Sequence, residues 1–220
     1  MPASLSLEAV REAREAIAPV VHHTPMGLSR TFSALVGGEV YLKAENLQRT
    51  GSFKPRGAAN RMAHLSERQR ARGVIAASAG NHAQGVALAA QHWSVPCTIV
   101  MPKDASLAKV EATKGYGATV ILQGDSYDEA QANARSLAQE RGLTLVHAFD
   151  DPYVIAGQGT IGLEVCEGLS DIDLVVVPVG GGGLIAGISL AVKALQPRAR
   201  VVGVQAEWAP AAAESLRRRR

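Results

Sequence analysis

The sequence has few aromatic side chains and few cysteines, and each shortage excludes a class of protein. Aromatic residues make up only 4% of the 220 residues, so the core must consist mostly of Ala, Val, Leu and Ile. Cys97 and Cys166 are the only cysteines, and each lies in an apolar stretch. This indicates two buried thiols in a reducing compartment, not a disulfide framework. No basic stripe with interleaved aromatics is present, so nucleic-acid binding is not expected.

The formal net charge of +3 depends on the end of the chain, where Arg217 to Arg220 supply four positive charges. Without these four charges the balance is −1, so the pI near 9.0 does not mark a nucleic-acid surface. Glu8 and Arg11 stand where a signal peptide would be apolar, so we expect a cytoplasmic protein. The uncharged stretch 174–192 has the length of a membrane span, but Pro178 and the following glycines interrupt it. We therefore expect no membrane segment.

From Gly73 onwards, short apolar runs alternate with helical patterns. Such alternation is typical of βαβ units and parallel sheets, so we predict an α/β fold. The run 174–179 is too apolar for a half-exposed strand, and we expect it to be buried on both faces. The predicted strands are 40–43, 74–77, 97–100, 119–122, 144–146, 174–179 and 201–204. The predicted helices are 7–17, 55–65, 81–92, 105–114, 127–141, 153–166 and 184–195.

One lysine stands in an unusual setting within the stretch Glu45–Ala58. Pro55 suits the first position of a helix, so Lys54 should lie just before a helix N-terminus. The positive end of the helix dipole and the apolar wall of Phe53 both disfavour the ammonium form and lower the pKa of the amine. Only the neutral amine is a nucleophile, so this setting predicts a lysine that forms a Schiff base with a carbonyl compound.

A glycine-rich turn joins the predicted strand 174–179 to the next helix. The N–H groups of successive glycines and the helix N-terminus can bind one anion, and a phosphate fits best. A flexible turn is the plain alternative. The lysine and serine of an ATP-type loop are missing, but the spacing Gly181-x-Gly183-x-x-Ala186 weakly matches a dinucleotide fingerprint. The residues predicted to bind the phosphate are Gly180, Gly181, Gly182, Gly183 and Leu184.

A second loop of small polar residues follows the strand 74–77 and opens a helix. Its backbone N–H groups and the hydroxyl of Ser78 could bind a carboxylate at the helix N-terminus. The alternative is an ordinary helix cap, with His82 as a structural hydrogen-bonding residue. The residues predicted to hold a substrate carboxylate are Ser78, Ala79, Gly80, Asn81 and His82.

In parallel sheets, ligands bind beyond the carboxyl ends of the strands, and the three stretches all follow strands. A nucleophilic lysine, a phosphate site and a carboxylate site together suit a phosphorylated aldehyde and an amino-acid substrate. That combination describes the chemistry of pyridoxal 5'-phosphate (PLP), in which the cofactor supplies the electron sink and the protein supplies placement.

Four motifs carry a resemblance to a known family. They are Ser52-Phe53-Lys54-Pro55-Arg56-Gly57-Ala58, Ser78-Ala79-Gly80-Asn81-His82-Ala83-Gln84-Gly85, Ile155-Ala156-Gly157-Gln158-Gly159-Thr160 and Gly180 to Leu184. On these motifs the chain resembles the fold-type II PLP enzymes, which are tryptophan synthase β-like. Within them it is similar to the threonine/serine dehydratase and serine racemase branch. The resemblance implies two open parallel-sheet domains: a large domain from 1–68 and 151–220, and a small mobile domain from 69–150.

The resemblance also implies residue roles. Lys54 would bind the cofactor aldehyde and later move the substrate Cα proton, Phe53 would lie against the ring, and Asn81 would bond the ring hydroxyl. The glycine turn would hold the phosphate, and the loop at 78–82 would hold the substrate carboxylate.

Three departures from the family pattern matter. In the racemases of the family, a serine in the asparagine loop acts as the second base, on the ring face opposite the lysine. Here that residue is Ala79, which cannot carry a proton, so dehydration is favoured over racemisation. Gln205 stands where some relatives place a carboxylate for a divalent cation, so we expect no metal there. The family's large domain continues well past this chain's end, and it includes the residue that bonds the pyridine nitrogen. We therefore expect the large domain to be truncated.

The expected activity is a PLP-dependent ammonia-lyase that converts L-threonine, and secondarily L-serine, into a 2-oxo acid and ammonia. We expect a small-molecule amino-acid substrate and a homo-oligomer, either a dimer or a tetramer. The alternatives are a catalytically incomplete PLP-binding fragment, a serine racemase-type activity and an NAD-binding oxidoreductase. The sequence leaves open whether threonine or serine is preferred and whether the role is biosynthetic or degradative.

Overall fold

The computed structural model describes residues 5–218, so Arg219 and Arg220 of the terminal arginine run lie outside it. From Gly73 onwards the described residues form helices and short strands in the alternating order that the sequence predicts. The helices are α1 (Leu7–Ile17), α2 (Arg30–Val36), α3 (Lys54–Ala63), α4 (Glu67–Arg72), α5 (Asn81–His92), α6 (Leu107–Gly115), α7 (Tyr127–Arg141), α8 (Pro152–Gly168), α9 (Gly183–Leu195) and α10 (Ala211–Arg218). The strands are β1 (Met26–Leu28), β2 (Tyr41–Lys43), β3 (Val74–Ala77), β4 (Cys97–Met101), β5 (Thr119–Leu122), β6 (Thr144–Leu145), β7 (Leu174–Pro178) and β8 (Arg200–Val204).

The strands form three sheets. The largest has the order β5-β4-β3-β6, and all its pairings are parallel. β7 and β8 form a parallel pair, and β1 and β2 form an antiparallel pair. The parallel sheets and the helices between their strands confirm the α/β class. The four-stranded sheet lies inside the predicted small domain, while the division into 1–68, 69–150 and 151–220 stays a prediction.

Local signals explain where several helices begin and end. The Ser6 side chain accepts a hydrogen bond from the N–H of Ala9, which caps α1. Asp151 caps α8 by accepting from two backbone N–H groups, and Pro152 takes the first helical position. Gly142 ends α7 in the left-handed conformation, with φ of 65°.

The core lies where helices cover the four-stranded sheet and where α8 packs against α3 and α9. Every residue of β3 is buried, as expected for the centre of a parallel sheet covered on both faces. Glycines let α3 and α8 approach closely, because a Cβ added at Gly157 would lie 2.7 Å from the Cα of Gly57. The first turns of α3 therefore have little room to move against α8.

The prediction that residues 174–179 are buried on both faces is wrong. In β7 only Val177 is buried, whereas Leu174 and Val176 are 47% and 59% exposed. The neighbouring β8 is also largely exposed. Helices α8 and α9 pack against one face of this strand pair, whereas Leu174, Val176 and Val204 remain about half exposed. The apolar run therefore predicts the strand correctly but does not predict how far the strand is buried.

A helix both long and apolar enough to cross a membrane does not occur in the described part of the chain.

Candidate active site

Lys54 begins α3, one residue earlier than the sequence predicts, and Phe53 is the N-cap. The Nζ atom of Lys54 donates a hydrogen bond to the carbonyl oxygen of Ala148 at 2.9 Å and lies 5.3 Å from the centre of the Phe53 ring. Burial lowers the pKa of the Lys54 amine from 10.5 to about 8. The amine therefore becomes a free nucleophile at a pH where an exposed lysine stays protonated.

This shift predicts the pH dependence of Lys54 reactivity. Below pH 8 the amine is protonated and inert, and above it the neutral form dominates, so labelling by an aldehyde and borohydride should rise through a midpoint near pH 8. Peptide mass mapping of pulse-labelled protein measures it. In the denatured chain the midpoint should return to about 10.4. Equal midpoints in the folded and denatured chains would contradict the buried setting.

Gly85 of α5 packs closely against the backbone of Lys54. A Cβ added at Gly85 would lie 3.0 Å from the carbonyl carbon of Lys54 and 3.1 Å from the nitrogen of Pro55. Both contacts are with backbone, so a side chain at this position would have to push the start of α3 away. The sequence contained Gly85 in one of the family motifs, but nothing in the sequence alone showed that it faces Lys54.

Replacing Gly85 with alanine should therefore displace Lys54 by a few tenths of an ångström while preserving the fold. We expect a stability loss of about 1–3 kcal/mol and a slower reaction of Lys54 with PLP. Thermal unfolding and borohydride trapping measure the two effects. Gly115→Ala is the control, since its added Cβ would meet no atom within 4 Å and it ends α6 away from the lysine. A Gly85→Ala protein that reacts at the wild-type rate would refute the contact.

The glycine turn lies directly before α9, with Gly182 as the N-cap in the left-handed conformation. A Cβ added at Gly183 would lie 2.6 Å from the carbonyl oxygen of Phe149, and one added at Gly181 would overlap the Phe149 ring. By contrast, a Cβ added at Gly180 or Gly182 would meet nothing within 4 Å. One side of the turn is thus packed against Phe149, and open space lies on the other side.

The segment that holds Lys54 and the glycine turn together was missed from the sequence. Ala148 accepts the hydrogen bond from Lys54, and its neighbour Phe149 packs against Gly181 and Gly183. Ala148 and Phe149 follow β6, the parallel neighbour of β3, at the carboxyl end of the sheet. The general rule that ligands bind at this edge could have pointed to them, but their residue types carry no chemical signal.

The loop predicted to bind a carboxylate lies at the same edge, directly after β3. The Ser78 hydroxyl accepts a hydrogen bond from the N–H of Gly80 at 3.1 Å, which leaves its proton available to a ligand. Asn81 is exposed at the first position of α5, and Ala79 is half-buried against the core. The loop therefore offers backbone donors at a helix N-terminus, as predicted, while its binding role stays a prediction.

His82 is buried, and its Nε2 lies 3.1 Å from the carbonyl oxygen of Val146. Because the carbonyl can only accept, Nε2 carries the proton. Burial and the nearby charges of Lys54 and His147 lower the pKa of His82 to about 3, so the ring is neutral. His82 thus ties the loop at 78–82 to the segment that contacts Lys54, which matches its reading as a structural residue.

Gln205 connects the glycine turn to the last helix. Its amide nitrogen lies 3.5 Å from the carbonyl oxygen of Gly180, and its amide oxygen accepts from the N–H of Ala213 at 3.1 Å. Among residues 5–218, groups of three or more His, Cys, Asp or Glu side chains that could hold a metal ion do not occur.

These residues suit a phosphorylated aldehyde. The amine of Lys54 and the packed side of the glycine turn contact consecutive residues of one segment. Open space beside Gly180 and Gly182 leaves room for an anion next to the N-terminus of α9. The fold and the geometry together describe an α/β protein in which a buried lysine and a glycine turn at a helix N-terminus contact one segment, an arrangement that suits a phosphorylated aldehyde.

Comparison with known proteins agrees with this class. The family model described as "Pyridoxal-phosphate dependent enzyme" matches residues 17–220. The chain therefore belongs to the pyridoxal-phosphate dependent enzyme family, and PLP is its cofactor. This confirms the cofactor and the fold-type II assignment made from the sequence.

Individual relatives point to one branch. The chain is 56% identical over 216 residues to the L-threonine ammonia-lyase of Thermotoga maritima, covering 98% of this chain and 54% of that protein. The maize serine racemase structure superimposes with a TM-score of 0.95 at 38% identity, covering 99% of this chain and 66% of that one. The threonine deaminase isoform 2 structure from Solanum lycopersicum has a TM-score of 0.91 at 41% identity, covering 99% and 61%. This chain thus spans about half to two-thirds of each relative.

Proposed function

We propose that this chain carries the PLP site of an ammonia-lyase that converts L-threonine, and secondarily L-serine, into a 2-oxo acid and ammonia. One observation carries the proposal: the Lys54 amine and the glycine turn contact the adjacent residues Ala148 and Phe149. The names of the Thermotoga maritima and Solanum lycopersicum relatives support the choice of threonine.

PLP supplies an aldehyde that links to amines and an electron-poor ring that takes up negative charge when the substrate loses its Cα proton. Lys54 would bind the aldehyde and, once displaced by the substrate amine, remove the proton from Cα. A pKa of about 8 suits this task, because a base works best when its pKa lies near the working pH.

The other site residues would bind and orient. The N–H groups of Gly180–Gly183 would hold the phosphate, with the dipole of α9 behind them. Phe53 would lie against the ring and exclude water, and Asn81 would bond the ring hydroxyl. The backbone N–H groups of residues 78–82 would hold the substrate carboxylate. Overall, the substrate would lose its β-hydroxyl as water and its nitrogen as ammonia, with one water consumed in the second step.

The likeness to maize serine racemase makes racemisation the second candidate. Racemisation needs a proton donor on the face of the ring opposite Lys54. The loop position expected to supply it is Ala79, whose methyl group packs against the core and carries no exchangeable proton. This observation favours elimination over racemisation. We also infer a cytoplasmic homo-oligomer, in line with the sequence expectations.

The test is an assay of the purified chain with PLP and single amino acids. We expect 2-oxobutanoate and ammonia from L-threonine, a slower release of pyruvate from L-serine, and no D-serine by chiral chromatography. Bound cofactor without product would favour a catalytically incomplete PLP-binding chain. Formation of D-serine faster than pyruvate would overturn the choice of elimination.

A further inference from the structure

A buried ionic cluster lies in the first turn of α3, two residues after the lysine, and is centred on the fully buried side chain of Arg56. Its Nε and Nη2 atoms donate to the two carboxylate oxygens of Glu45, at 2.9 and 2.8 Å. Its Nη1 and Nη2 atoms donate to the two oxygens of Glu164, at 2.5 and 3.0 Å. The hydroxyl of Thr160 and the carbonyl of His22 accept at 3.1 and 3.3 Å. Every N–H of the guanidinium group thus has an acceptor.

The cluster is electrically balanced. The ammonium group of Lys43 lies 2.5 Å from Glu164, so two cations face two carboxylates. Two-pronged pairs between guanidinium and carboxylate fix the relative orientation of both groups, which a lysine in place of Arg56 could not do. Neither the sequence motifs nor the proposed chemistry assigns a role to Glu45 or Glu164.

The Glu45–Arg56 pair closes a loop. Glu45 opens the 3-10 turn Glu45–Leu47, and Arg56 lies in the first turn of α3. The intervening residues, 46–55, include Phe53 and Lys54, and the exposed Gly51 in the left-handed conformation, with φ of 73°. A loop with such a glycine is free to change shape unless its ends are fixed. The two-pronged pair fixes both ends.

The pair between Arg56 and Glu164 does something different. Glu164 lies on α8, so this pair joins two helices and does not span the loop. The cluster therefore has one arm that closes the lysine loop and one arm that supports helix packing. These arms can be separated by mutation, because each carboxylate belongs to only one of them.

We propose that Glu45 and Arg56 are positioning residues, which clamp the ends of loop 46–55 and so direct the amine of Lys54 towards the cofactor aldehyde. The proposal rests on the proposed function only in taking Lys54 as the residue that binds PLP. The clamp acts on position and not on charge, since burial alone accounts for the lowered pKa of Lys54. Fixing a reacting group in place commonly changes rates by one or two orders of magnitude.

The test compares Glu45→Gln with Glu164→Gln in the full chain. Each variant replaces one carboxylate oxygen with an amide NH2 group, so the first weakens the loop arm, and the second weakens the helix arm but leaves both Glu45 hydrogen bonds. The first readout is hydrogen exchange of the backbone amides of residues 46–55, measured without cofactor. The second is the rate of covalent PLP attachment at Lys54, by borohydride reduction and peptide mass mapping, corrected for the folded fraction and followed over pH.

We expect Glu45→Gln to speed exchange in residues 46–55 and to slow attachment by about tenfold, with its pH midpoint still near 8. Glu164→Gln should lower the melting temperature but leave exchange in the loop and attachment at wild-type values. Arg56→Lys keeps the charge balance but loses the two-pronged pairs with both Glu45 and Glu164, so it should slow attachment as Glu45→Gln does. This variant also covers the case in which Glu45→Gln fails to fold.

Wild-type exchange in Glu45→Gln, or in Arg56→Lys should the former not fold, would overturn the clamp. Equal slowing of attachment in the Glu45 and Glu164 variants would also overturn it, because a purely structural role affects both arms. A shifted pH midpoint would show that the pair acts through charge instead. The proposed function fails separately, when a wild-type chain releases no 2-oxo acid, and the exchange measurement is unaffected by that result.

Discussion

Replacing Lys54 with alanine should abolish both covalent PLP attachment and the release of 2-oxobutanoate. Lys54 is the group that would bind the aldehyde and move the Cα proton, and its Nζ atom lies 2.9 Å from the carbonyl oxygen of Ala148 at the predicted site. Loss of a positioned general base alone costs on the order of 10²–10⁴-fold in rate, so turnover should fall to the background. Absorbance of bound PLP and a 2-oxo acid assay measure the two losses.

Two further variants make the lysine result specific. Lys54→Arg keeps a positive charge but removes the nucleophilic amine, so it should fail as completely as alanine. Lys103→Ala removes an exposed lysine paired with Asp125 and should change neither readout. Turnover of the alanine variant at anything near the wild-type rate would show that another residue carries the reaction.

Replacing Gly183 with alanine should weaken PLP binding and destabilise the fold together. The added Cβ would lie 2.6 Å from the carbonyl oxygen of Phe149 and 2.9 Å from its Cα, both backbone atoms that no rotamer change can move. Overpacking of this kind costs about 1–3 kcal/mol. A comparable loss of binding free energy at the phosphate site would raise the dissociation constant about 5- to 140-fold. Thermal unfolding and PLP titration followed by absorbance measure the effects.

Gly180 and Gly38 provide the matched comparison. A Cβ added at either would meet nothing within 4 Å, so neither substitution should lower the melting temperature much. Gly180→Ala should still weaken PLP binding, because its methyl group enters the space where the phosphate is expected. Gly38→Ala should leave binding unchanged. If Gly180→Ala bound PLP as tightly as Gly38→Ala, the phosphate would have to lie elsewhere.

The sequence was a good guide to elements whose signal is local. Strand β3 and helix α5 agree with their predicted bounds, and α3 begins at Lys54, only one residue before its predicted start. Apolar runs, helix caps and glycines act through neighbours in the chain, so they can be read without knowing the fold. Strand β2 lies within the predicted range 40–43, whereas its antiparallel partner β1 and helix α2 were not predicted, because their residues are mostly exposed.

The parts of the site that sequence reasoning missed depend on contacts between distant segments. Lys54 and Ala148 are 94 positions apart, and Arg56 and Glu164 are 108 positions apart. Nothing in the residue types around Ala148 indicates a hydrogen bond to a lysine. The wrong prediction that β7 is buried on both faces also arose because burial depends on distant segments. The apolar pattern shows that a strand can be covered but not which segment covers it.

The most direct test of the central claim is to incubate the chain with PLP, reduce it with borohydride and map the modified peptides by mass spectrometry. The account predicts one pyridoxyl label, located on Lys54, with labelling that increases through a midpoint near pH 8. A label on other lysines with Lys54 unmodified would contradict it.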